Sequence, residues 1–180
     1  MNKFRLAFVA TLGFAAAGLL SSSCAQQPRV AERTPTETRV VSPSAEEAGR
    51  YLILMGGCND CHTLGWEQSG GKMPESEWLT GSPVGYRGPW GTTYATNLRL
   101  YVQAVSEDEW VRMFRERNER PPMPWVNYRT IHESDLRAIY RFIRSLGPAG
   151  KPEPDYVPPD KEPMTPYLSF VPIMPANGGQ

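Results

Sequence analysis

Apolar positions recur at helical spacing in three stretches of the chain. In the first, Ala48, Tyr51, Leu52 and Met55 follow Ser44, whose hydroxyl can cap the helix while Glu47 reaches back. This predicts a helix from Ser44, loosened at Gly56 and Gly57. In the second, Ser106-Glu107-Asp108-Glu109 forms another capping box and Trp110, Met113 and Phe114 share one face. That helix should fade near Asn118, because Pro121 and Pro122 rule out its continuation. The third stripe, Leu136, Ile139, Tyr140 and Ile143, is the clearest, with Asp135 in its first turn and Gly147-Pro148 as its stop.

Between and beyond these helices the pattern is lost. From Thr63 to Leu100 there are glycines, prolines and aromatics without alternation, as expected of a loop wrapped around a bound group. Nine of the 18 prolines fall after Gly147, which excludes a helix or central strand there. Tyr156, Tyr167, Phe170 and Val171 suit an extended strap, with a disordered tail as the alternative. Residues 26 to 43 are polar and Pro-containing and read as a flexible spacer.

At the N-terminus, Lys3 and Arg5 precede an apolar run from Leu6 to Leu20, which has the charge and length of a signal peptide and is short for a membrane span. Export to the periplasm follows as an expectation. Cleavage after Ala25 competes with lipidation of Cys24, which would tether the domain to a membrane as a lipoprotein.

The 180 residues leave room for one domain once leader and tail are set aside. Basic and acidic residues number 19 each; loss of Lys3 and Arg5 leaves 17 against 19 and argues against nucleic acid as a partner. Two of the three cysteines lie three residues apart and the third sits at the processing site, so a disulfide scaffold does not explain them.

Cys58-Asn59-Asp60-Cys61-His62 is a C-x-x-C-H motif. On one helical turn the two thiols point the same way and can add to the two vinyl groups of a haem, while the adjacent histidine reaches the iron. A thioredoxin-like pair would need a preceding strand and a βαβ context, neither of which is visible. Zinc would need more histidines than His62 and His132 in a workable spacing. A Cys58–Cys61 disulfide would close too small a loop to stabilise much. For a second iron ligand Met123 is favoured, because Pro121-Pro122-Met123-Pro124-Trp125 is a stiff non-helical loop. Met55 and Met113 read as core filler, Met73, Met164 and Met174 as weaker loop rivals, and His132 as a surface residue at the start of the last helix.

The chain resembles the class I cytochrome c superfamily, particularly the cytochrome c domains of bacterial alcohol and sugar dehydrogenase complexes. The likeness rests on Gly49 to Leu52 leading to Gly57 to Thr63, on Gly88-Pro89-Trp90-Gly91-Thr92-Thr93-Tyr94-Ala95-Thr96-Asn97, on Pro122 to Trp125, and on Asp135 to Tyr140 ending at Ser145-Leu146. It covers residues 44 to 147. Those dehydrogenase subunits are strings of several such domains, whereas one C-x-x-C-H stands here, and Asn97-Leu98-Arg99-Leu100 lacks a Thr-Pro-Asp after the asparagine.

The resemblance implies an all-α cytochrome c fold in which the first and last helices cross and His62 and Met123 bind the iron of one covalent haem c (heme c) held by Cys58 and Cys61. Tyr94, Asn97 and Trp125 would line the pocket or hydrogen-bond propionates, with ordinary loop packing as the alternative. The expected organisation is a signal peptide over 1–24, a spacer over 25–43, a monohaem domain over 44–147 and a proline-rich extension over 148–180. The expected function is non-enzymatic: single-electron transfer between redox proteins such as a dehydrogenase, an oxidase or another cytochrome. The alternatives are a haem subunit fixed in a dehydrogenase or oxidase complex and a ligand-binding or peroxidase-like haem protein.

Overall fold

The computed structural model describes residues 40–118 and 120–174. The leader over 1–24, Cys24 with its two processing routes, most of the spacer and the last six residues lie outside the described residues. Among the described residues no helix is long and apolar enough to cross a membrane.

Among the described residues six α-helices and three short strands follow one another, with a 3-10 turn over Glu75–Glu77 after the second helix: α1 (Ala45–Met55), α2 (Cys58–His62), β1 (Gly85–Gly88), β2 (Gly91–Tyr94), α3 (Leu98–Ala104), α4 (Glu107–Glu116), α5 (Trp125–Tyr128), α6 (Glu133–Ser145) and β3 (Tyr167–Ser169). The N-terminal ends of α1 and α4 follow from their caps. Ser44 accepts the Glu47 N–H, and Ser106 and Glu109 complete a reciprocal capping box.

The core lies where α1, α3 and α4 pack on α6. Ile53, Val102, Leu136 and Ile143 are wholly buried there with Trp110 and Phe114. Trp110 Nε1 donates to the Leu136 carbonyl at 2.9 Å and Tyr140 donates to the Val105 carbonyl at 2.9 Å, so the polar ends of these aromatics are satisfied inside the core.

The buried face of α1 differs from the expected stripe. Ala48, Gly49 and Ile53 face inward, whereas Tyr51 and Met55 are 50% and 67% exposed. The reason is Gly49: a Cβ at this position would run into the Ala138 carbonyl and the Phe142 Cβ, so the bare backbone lets α1 approach α6 closely and turns the helix toward positions 49 and 53. Met55 is therefore not core filler.

The all-α expectation also omitted a three-stranded sheet of order β2-β1-β3. β1 and β2 form an antiparallel hairpin running from Gly85↔Tyr94 to Gly88↔Gly91, and β3 joins β1 in parallel, Gly85 opposite Tyr167. The strands are three or four residues long and partly built of glycine, too short for alternation to register. The segment from 148 to 174 is extended and lies along this hairpin. Val157 and Thr92 exchange backbone hydrogen bonds of 2.7 and 3.0 Å, Tyr94 meets the Thr165 hydroxyl at 2.7 Å, and Arg87 donates to the Lys161 carbonyl and Glu162 at 2.9 and 2.8 Å.

Candidate cofactor site

Gly57 separates α1 from α2. Its φ of 63° lies in the left-handed region, where glycine carries no Cβ penalty, and the chain re-enters a helix at once with Cys58. The short α2 therefore carries Cys58, Cys61 and His62 on one element. It is held from outside by Thr63, whose hydroxyl donates to Asn59 Oδ1 at 2.7 Å and accepts the Leu79 N–H at 2.8 Å. Leu79 is wholly buried with a φ of 61°, a conformation that costs a non-glycine residue about 1–3 kcal/mol and is retained by this packing.

The two thiols and His62 border a cavity of about 310 Å³. Cys58 and Cys61 are free and half-buried. Burial pushes the Cys58 thiol up to about 12, with the Asp60 carboxylate adding to the effect. His62 is buried, which holds it below its usual pKa and therefore neutral near pH 7. Its Nδ1 lies 2.7 Å from the Thr96 carbonyl oxygen. A carbonyl can only accept, so Nδ1 bears the proton and Nε2 keeps its lone pair for a metal.

Met123 borders the same cavity. Its loop is tied to β2 by the Thr93 hydroxyl, which donates to the Pro121 carbonyl at 2.7 Å, and a cis peptide joins Pro121 to Pro122. Of the other methionines, Met113 packs against the core, as its reading as filler expects, and also reaches the cavity, where its sulfur accepts the Tyr101 hydroxyl at 3.2 Å. Met164 and Met174 are 99% and 80% exposed, and Met73 packs beside the core away from the cavity. His132 caps α6, its Nδ1 accepting the Ser134 N–H.

The remaining expected site residues divide. Tyr94 and Trp125 border the cavity. Trp125 Nε1 is buried with no hydrogen-bond partner among the described residues, an orphaned donor beside an open space. Asn97 does not border the cavity. Its amide is already used: Nδ2 donates to the Ala149 and Lys151 carbonyls at 2.8 and 3.0 Å, and Oδ1 caps α3 by accepting the Leu100 N–H.

Sequence reasoning missed several lining residues. Phe114 and Tyr128 join the expected Trp125 in an aromatic side of the cavity, with the Trp125 and Tyr128 ring centroids 5.7 and 6.1 Å from Phe114. Arg117 and Arg120 border it as well, Arg120 stacked 3.7 Å over the Tyr156 ring. Glu153, Pro154 and Tyr156 close it from the C-terminal segment. The proximity of arginine and proline to Met123 was a usable signal for Arg120; nothing local pointed to residues 153 to 156.

These residues fit a haem joined through two thiols: paired cysteines and a metal-ready imidazole on one short helix, a thioether in the same cavity, aromatic walls, an unsatisfied indole N–H and two guanidinium groups that match carboxylates. Among the described residues no group of three or more His, Cys, Asp and Glu side chains is gathered to hold a metal ion without a macrocycle.

The chain is similar to part of a dehydrogenase subunit. A nicotinate dehydrogenase subunit of Pseudomonas putida is 27% identical over 150 residues, 78% of this chain. The chain spans about 12% of that relative's length. No family model matches, and no solved structure matches.

Proposed function

We propose that this chain is an exported monohaem subunit of a dehydrogenase complex, carrying single electrons away from the enzyme that oxidises the substrate. The observation that carries the reading is the meeting of Cys58, Cys61, His62 and Met123 at one cavity, although Met123 is 61 residues from His62 in the chain. Similarity to a stretch of a dehydrogenase subunit favours residence in such a complex over free diffusion.

In this reading Cys58 and Cys61 form the two thioether bonds, His62 Nε2 and the Met123 sulfur ligate the iron, and Arg117 and Arg120 pair with the propionates. A haem held in this way supplies a one-electron couple. The chain's own residues set its surroundings: Thr96 fixes the imidazole tautomer, Tyr101 keeps the Met113 sulfur occupied, and Phe114, Trp125 and Tyr128 exclude water. A soft thioether favours reduced iron and raises the potential. A firmly held Met123 also leaves no open position for peroxidase-like or ligand-binding chemistry. Export rests on the leader, with Cys24 lipidated or removed with it; mass spectrometry of the mature N-terminus separates the two.

The test is the absorption spectrum of protein matured with haem. Low-spin bands in both oxidation states are expected, together with the weak far-red band of methionine ligation when oxidised. Met123→Ala should lose that band while keeping the covalent haem. Absence of covalent haem in the native protein overturns the proposal, a high-spin native spectrum moves it to ligand binding, and failure to co-purify with a dehydrogenase leaves a freely diffusing carrier.

A further inference from the structure

The C-terminal strap brings a carboxylate to the cavity. Glu153 borders it, half-buried, and its Oε2 accepts the Asn97 N–H at 3.0 Å. The carbonyl that receives His62 Nδ1 belongs to Thr96. Thr96 C=O and Asn97 N–H are the two ends of one peptide group. That single amide is therefore held at its N–H by a carboxylate and at its oxygen by the imidazole.

A peptide polarised in this way is a stronger acceptor than an isolated one, because an anion on the N–H pushes electron density to the oxygen. A stronger acceptor on Nδ1–H makes the imidazole a more basic ligand, as carboxylates do when they contact a metal-bound histidine directly. Among the described residues none of the ion pairs includes Glu153. The strap is fastened on either side of Glu153, by Asn97 Nδ2 on the carbonyls of residues 149 and 151 and by the Thr92–Val157 bridge, so the carboxylate is held rather than loosely tethered.

We propose that Glu153 is a positioning residue for His62, acting through the Thr96–Asn97 peptide to favour the oxidised state of the iron. This rests on the haem reading above. It gives the proline-rich extension a part in the redox chemistry, since the residue that adjusts the ligand lies outside the stretch that carries the motif and both ligands.

Glu153→Gln tests it, because a glutamine oxygen can accept the same N–H while the negative charge is lost. In a redox titration of the full-length haem-loaded protein, the variant should shift about tenfold toward the reduced form, equivalent to about 59 mV for one electron. Glu153→Asp should stay closer to the native value, and Asp155→Asn, exposed on the same strap, should leave the potential unchanged. Glu153→Ala, without charge or acceptor, should shift at least as far as Glu153→Gln. An unchanged potential in Glu153→Gln overturns the proposal, as does a shift in Glu153→Ala alone or a failure of both variants to load haem when the native protein does. Native protein without covalent haem instead overturns the haem reading itself.

Discussion

Where α1, α4 and α6 meet, side chains pack against side chains: Ile53, Leu136 and Ile143 are wholly buried, and Trp110 meets Phe114 edge to face with ring centroids 4.9 Å apart. Around the hairpin and the strap the fastening is different, with Arg87, Thr93, Asn97 and Tyr156 reaching backbone carbonyls and a cavity left between the layers. The helical side carries its own hydrophobic stabilisation. The other side is held by polar ties beside a space that the haem of the proposed reading fills, so order there should depend on the cofactor, whereas the helices should stay folded without it.

The largest effect should come from removing the filler. Cys58→Ala with Cys61→Ala should abolish covalent haem on a stained denaturing gel. In the same variant, amide exchange of residues 85–94 and 156–169 should rise about tenfold or more while α6 stays protected. Equal loosening of α6 would erase the contrast between the two sides.

Next in size is Leu136→Ala, which empties a fully buried site on α6. A loss of about 2–5 kcal/mol is expected in urea unfolding, with helical and haem signals disappearing together because the helices support both sides. Smaller is Arg87→Ala, which removes the ties to Lys161 and Glu162. It should cost about 1 kcal/mol, confined to faster exchange in the strap, with little change in the global midpoint.

The smallest effect concerns Glu107. Burial opposes its charged form, but hydrogen bonds from Arg141 and Arg137 more than offset this and hold its carboxyl below the usual glutamate range. A depressed folded pKa means stability that is full above the unfolded value, near about 4.3, and is lost as pH falls through the folded one. Glu107→Gln should therefore lower stability by about 1 kcal/mol or less at pH 7 and should flatten its fall below about pH 4.

The helices of the core were legible because their stripes are long and capped, as at Ser106 and Leu136. The motif was legible because its spacing is local. Residue 49 misled, since a glycine counts as nothing in a hydrophobic pattern and yet decides which face of α1 can touch α6. The helix α3, which starts inside the expected loop and runs past its end, was missed although Asn97 caps it and Leu98, Tyr101, Val102 and Val105 recur at helical spacing. The hairpin and strap were illegible for another reason: Arg87 meets Glu162 across 75 positions, and such pairings leave no local trace. Glu153 was concealed in the same way, 56 positions from the Asn97 N–H that it accepts.

The strap also orders events in time. Chains are made from the N-terminus, and residues 153 to 156, which complete the cavity, are synthesised roughly 90 positions after the cysteines they enclose. On the haem reading, a bulky planar group has an entrance beside the cysteines for as long as residues 153 to 156 have not packed.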